Sequence, residues 1–144
     1  MSASVSHKKN VVFVCTHNEV RSLTAEQLYR GRANLEVRSA GIASHAKNQL
    51  TQKVVDWADM IVVFEAKHLA LLKRLFPDIK QKVELVLVRL DDVYDYKSPK
   101  LIFKLASKLR PHLGKPLETR AIASGGDMPM VGKLVQNYLF EKAV

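Results

Sequence analysis

The chain has 144 residues and only one cysteine, Cys15. A lone cysteine excludes an internal disulfide and fits a reducing cytoplasm. No apolar run approaches the eighteen or so residues of a membrane span, and the stretch 1–10 lacks the apolar centre of a secretion signal. Internal repeats and low-complexity tracts are missing as well. A soluble cytoplasmic protein is therefore expected. What the chain does have is apolar residues, 47% of the total, enough for one domain with a substantial core but not for two. Residues 1–144 read as a single domain, with a flexible lead over 1–9.

The formal net charge is +9, and the basic residues crowd the stretch from Lys67 to Lys115. A basic surface raises encounter rates with anionic partners, yet composition alone rarely specifies a ligand. Lys100, Lys104 and Lys108 recur at helical spacing and could meet an acidic partner. Solvated helix faces explain such lysines more simply than nucleic-acid binding does.

Periodicity divides the chain into alternating elements. Apolar runs predict strands at 10–15, 35–39, 60–64 and 83–90. Helical spacing predicts helices over 22–33, 51–57, 69–76 and 99–109, the third stopped by Pro77-Asp78 and the fourth opened by Pro99. A further amphipathic helix is predicted over 129–140. Alternation of this kind predicts an α/β fold, a doubly wound four-stranded parallel sheet with helices on both faces. Ligands of such sheets bind beyond the carboxyl ends of strands where the winding reverses, and the first strand borders that point.

The first strand ends in Cys15-Thr16-His17-Asn18-Glu19-Val20-Arg21-Ser22, and a helix follows at once. A loop of that length between strand and helix aims several backbone N–H groups at one centre, which suits a phosphate. Arg21 opens the helix and can fork two donors onto a phosphoryl group. The positive field that holds an oxyanion also favours a thiolate, so one loop supplies both affinity and nucleophile. The plainer reading is a small buried cysteine with a solvated arginine nearby.

This segment, with Ala25-Glu26 after it, resembles the low-molecular-weight protein tyrosine phosphatase family, in its short bacterial and phage-type form. Ser39-Ala40-Gly41, then Trp57-Ala58-Asp59-Met60-Ile61 through Glu65 with His68 and Leu69, and finally Asp92-Val93-Tyr94, extend the resemblance to about residue 109. The segment 114–144 lies outside it.

The resemblance implies that Cys15 is the nucleophile, Arg21 the clamp on the transition state and Asp92 the general acid, then base. Asn18 would shape the loop in a left-handed conformation, and Ser22 would support the thiolate. Thr16, His17, Glu19 and Val20 would complete the cradle, with Tyr94 walling it and His45 bracing it. His17 would offer its backbone N–H and turn its ring outward. Asp91 and Asp95 rival Asp92, although spacing to Tyr94 favours Asp92. Neither metal nor cofactor is implied.

Three positions depart from the family pattern: His17 for glycine, Glu19 at the cradle rim, and Val93 for proline. Val20 stands where some members keep a second cysteine. Two rival functions share the loop: a phosphate-binding module without turnover, and an arsenate reductase that relies on an external thiol.

Overall fold

The structure, a computed structural model, describes residues 8–116. Its elements are β1 (Lys9–Cys15), α1 (Arg21–Tyr29), β2 (Leu35–Gly41), α2 (Gln52–Trp57), β3 (Met60–Val63), α3 (Ala66–Leu75), α4 (Ile79–Lys82), β4 (Glu84–Leu87) and α5 (Pro99–Leu113). The four strands form one parallel sheet in the order β2-β1-β3-β4. The expected doubly wound α/β fold is borne out. The chain adds β2 on one side of β1 and β3 on the other, so the winding reverses at the carboxyl end of β1.

β1 is buried on both faces, and its alternate residues serve two cores. Val11, Phe13 and Cys15 face a cluster with Ala25, Leu28 and Tyr29 of α1 and Leu101, Leu105 and Leu109 of α5. Val12 and Val14 face the opposite cluster, with Val55 of α2, Leu72 of α3 and Ile79 of α4. A continuous apolar run is what burial on both faces demands. Because the side-chain period is two, Cys15 sits on the α1 side, under the loop that leads into that helix.

Caps and breakers explain the element ends. The Thr51 and Ser98 side chains accept from the N–H groups of Val54 and Leu101, each at 3.3 Å, and so satisfy free donors of α2 and α5. Helix α1 stops at Tyr29, four residues short of the predicted end, because Arg30 turns extended and Gly31 takes a φ of 95°. Helix α5 runs four residues beyond its predicted end, through Pro111 to Leu113, and Gly114 closes it at φ 81°. β4 is shorter than the apolar run 83–90. The Val88 and Leu90 N–H groups nevertheless still donate to Val63 and Phe64 carbonyls, at 2.9 and 3.0 Å.

Among the described residues, no helix is long and apolar enough to cross a membrane. Lys100, Lys104 and Lys108 are exposed along α5, as helical spacing requires. The helix predicted over 129–140 and the extension beyond residue 116 lie outside the described residues, as does most of the lead 1–9.

Candidate active site

The loop between β1 and α1 is shaped from outside. The segment after β2 reaches over it, and the N–H groups of Ile42, Ala43 and Lys47 donate to the carbonyls of Cys15, Thr16 and His17 at 2.9, 3.0 and 3.2 Å. In a trans peptide, N–H and C=O point in opposite directions. Pulling those three carbonyls outward therefore turns the N–H groups of Thr16, His17 and Asn18 inward. Among the described residues, no N–H group of residues 16–20 donates to a backbone carbonyl. Inward-facing amides without a backbone acceptor form an anion nest.

Two backbone requirements make the loop possible. Asn18 adopts φ 58°, the left-handed conformation expected of it. Gly41 passes so close beneath the loop that a Cβ there would collide with Ala46 and lie 2.9 Å from backbone atoms of both Thr16 and His17. Only glycine lets β2 and the loop approach this closely.

Side chains then fix the floor. Cys15 Sγ and Ser22 Oγ share a contact of 2.9 Å, and Asn18 Nδ2 donates to the same Ser22 Oγ at 2.8 Å. With Asn18 supplying a donor to its oxygen, the Ser22 hydroxyl is left to direct its proton at the sulfur. Cys15, Asn18 and Ser22 are all buried.

Arg21 is only 1% exposed and is held by groups distant in sequence. Its Nη1 donates to Glu65 Oε2 at 2.7 Å and to the Leu90 carbonyl at 2.9 Å. Its Nε is buried without a hydrogen-bond partner among the described residues and lies 3.7 Å from Asp92 Oδ1. A buried donor without an acceptor is uncommon and calls for an explanation. Here Nε belongs to the part of the fork left free beside Asp92, while Nη1 is anchored. Burial opposes the Glu65 charge, but the hydrogen bond and charge of Arg21 outweigh it and hold the carboxyl below its ordinary range.

His68, also 1% exposed, braces the loop from α3: its Nε2 shares a 2.9 Å hydrogen bond with Thr16 Oγ1. Burial, with the Arg21 guanidinium nearby, pushes its imidazole down to about 4, so the ring is neutral at neutral pH. A neutral ring adds no competing charge beside the cradle. His45, expected to brace the loop, instead brings its ring to 5.1 Å from that of His17, centre to centre. The side-chain hydrogen bond to the loop comes from His68.

Cys15, Thr16, His17, Glu19, Val20, Arg21 and Asp92 together line one small depression. Of the three neighbouring aspartates, only Asp92 reaches it. Its carboxylate is more than half exposed, Glu19 at the rim is exposed, and Val93 points to solvent. The acid loop is anchored on both sides, by Leu90 N–H on the Phe64 carbonyl and by Lys97 N–H on Thr24 Oγ1 at 3.1 Å. Tyr94 is not brought to the depression; it lies half-buried against the apolar cluster on the α1 side. Among the described residues, no group of three or more histidine, cysteine, aspartate or glutamate side chains is placed to hold a metal ion.

Glu65 and His68 are the functional neighbours that local motif reading leaves without a role. Both follow the carboxyl end of β3, the strand next to β1, so the topology carries them to the loop. The rule that ligands gather at such strand ends is the signal that points to them.

Fold and loop define a doubly wound α/β domain with a cysteine at the floor of an anion cradle. In sequence, residues 10–57 match the model for low molecular weight phosphotyrosine protein phosphatase. The resemblance carried by Cys15–Ser22 is thereby borne out.

Solved structures agree in fold. The tyrosine phosphatase amsI of Erwinia amylovora superposes with a TM-score of 0.53 at 19% identity, covering 90% of this chain and 92% of its own. The YwlE arginine phosphatase of Geobacillus stearothermophilus gives 0.50 at 21%, covering 94% and 92%. A thioredoxin-dependent arsenate reductase of Corynebacterium glutamicum gives 0.53 at 21%, covering 75% of this chain and 61% of its own. Three different chemistries stand on this one fold, so substrate has to be argued from the site. No curated protein sequence matches the chain.

Proposed function

We propose that this protein is a cysteine-dependent phosphomonoester hydrolase of the low-molecular-weight tyrosine phosphatase type, acting on phosphotyrosine or a similar aryl phosphate. The observation that carries the reading is the convergence of Cys15 Sγ, the free edge of Arg21 and the Asp92 carboxylate on one depression. The phosphoryl oxygens would rest on the inward amides and on Arg21, which spread the transition-state charge. Cys15 sulfur attacks phosphorus, the bond to the aryl oxygen breaks, and Asp92 gives that oxygen its proton. The Asp92 carboxylate then takes a proton from water, whose oxygen displaces sulfur and releases inorganic phosphate. The thiolate is restored with Ser22 Oγ beside it.

Thr16, His17, Asn18, Glu19 and Val20 contribute loop backbone to this scheme, and Glu65 holds Arg21 in position. The cradle charges neutralise the phosphoryl group without a metal or cofactor. A reactive thiol of this kind suits a reducing cytoplasm. Arsenate reduction would need an external thiol, since the sequence has no second cysteine to relay oxidation.

The test is hydrolysis of p-nitrophenyl phosphate with a chelator present, in the wild type and Asp92→Asn. Turnover by the wild type should survive chelation, and Asp92→Asn should lower kcat by about a hundredfold or more, the usual yield of general acid catalysis. No phosphate release from the wild type would remove the hydrolase reading.

A further inference from the structure

Beside the cradle lies a second, larger cleft of about 510 Å³, separated from it by Thr16, which lines both. Its floor is apolar: Ile42 and Ala43 from the segment after β2, and Leu71 from α3. Lys67 and Arg74, one on each end of α3, stand at its rim, and among the described residues no carboxylate lines it. Lys67 Nζ lies 3.5 Å from Glu65 Oε1, whereas Arg74 makes no ion pair among the described residues. His68 forms part of the wall, and its buried Nδ1 has no hydrogen-bond partner among the described residues.

A volume of this size fits the range of ligand sites, and an apolar floor with a few polar groups at the edge is their usual composition. Arg74 without an ion pair among the described residues, beside a Lys67 that already has Glu65, favours an anionic occupant. Shared Thr16 means that the occupant and the phosphoryl group can belong to one molecule. An extended peptide advances about 3.3 Å per residue, so the two positions next to a phosphorylated residue can span such a wall.

We propose that this cleft is a specificity site for the peptide flanking the phosphorylated residue, taking an apolar side chain on Ile42 and Leu71 and a carboxylate at Lys67 and Arg74. The proposal rests on the phosphatase reading and names the substrate class for it: tyrosine-phosphorylated segments that are acidic and apolar beside the phosphate. A small aryl phosphate fills only the cradle and takes nothing from the cleft.

The experiment compares two phosphotyrosyl peptides of equal length, one flanked by leucine and glutamate, the other by serine and lysine, with p-nitrophenyl phosphate as the reference. Wild-type kcat/KM should favour the acidic peptide by about tenfold, a preference that shrinks as salt rises. Arg74→Glu, a change on an exposed helix position, should bring the two peptides to parity or invert them while p-nitrophenyl phosphate is hydrolysed at the wild-type rate. Ala70→Glu, on the cleft side of the same helix, should act in the same direction. Equal kcat/KM for the two peptides in the wild type, or a preference that survives Arg74→Glu, overturns the proposal. Should p-nitrophenyl phosphate not be hydrolysed at all, the phosphatase reading has failed separately. Calorimetric binding of the same two peptides then decides the cleft: a difference abolished by Arg74→Glu supports it, and no difference overturns it.

Discussion

Cys15→Ser is expected to lower p-nitrophenyl phosphate hydrolysis by about 10⁴-fold or more while leaving the protein folded and able to bind inorganic phosphate. The size of the loss follows from the chemistry of the floor. Removing a nucleophile costs nearly everything that the catalytic group as a unit supplies. A serine hydroxyl does not ionise under the influence of a few amides and a guanidinium, and no other side chain at the depression can replace the sulfur. Phosphate binding survives because it depends on inward amides and Arg21, none of which the substitution touches. The fold survives because serine is close in shape and keeps a partner in Ser22 Oγ, now 2.9 Å from Sγ. Parallel measurements of kcat, thermal melting and phosphate binding separate the three effects. A residual rate within a hundredfold of wild type would place the nucleophile elsewhere.

Arg21→Lys is the second large effect, a drop of about a thousandfold in kcat with a melting temperature close to that of wild type. Lysine keeps the positive charge that Glu65 requires, so the ion pair at 2.7 Å has a successor. It cannot keep a planar fork with one edge on Glu65 and the Leu90 carbonyl and the other facing the cradle. An arginine that stabilises a transferring phosphoryl group is worth roughly 10³ to 10⁵ in rate. Arg21→Ala should lose as much activity and also destabilise the fold by about 2 kcal/mol or more, because the Leu90 carbonyl and the Glu65 carboxylate lose their common donor. The lysine variant therefore isolates the fork from the charge. If it kept activity within tenfold of wild type, the free Nε edge would have no part in catalysis.

Much of this site can be read from the chain because its parts are local. Cys15, Asn18, Arg21 and Ser22 fall within eight residues, and the buried strand and helix that flank them are both strongly patterned. Asp92 is further away, yet its spacing to Tyr94, two residues on, marks it. Glu65 and His68 are harder, since their partners Arg21 and Thr16 are 44 and 52 residues distant and only the parallel pairing of β1 with β3 joins them. His45 and Tyr94 show the opposite error. Each sits near the expected place in sequence, but His45 meets His17 and Tyr94 packs on the core. A motif fixes sequence spacing, and side-chain direction is decided by what each residue can bury.

Element boundaries follow the same logic. The runs 11–15 of β1 and 60–63 of β3 are unmistakable because burial on both faces leaves no charged or amide side chain there. Helix α4 is a single turn of four residues, too short for any periodicity to appear. Pro111 suggests a stop within α5, yet the apolar contacts of Leu109 and Leu113 with the core carry the helix past it.

The most direct measurement is alkylation of Cys15 by iodoacetate at neutral pH, with and without inorganic phosphate. The cradle described above should make the thiol react fast and phosphate should protect it, since both anions compete for the same amides and for Arg21. Slow alkylation that phosphate does not change would contradict the whole arrangement, leaving a buried cysteine beside an arginine and no anion site between them.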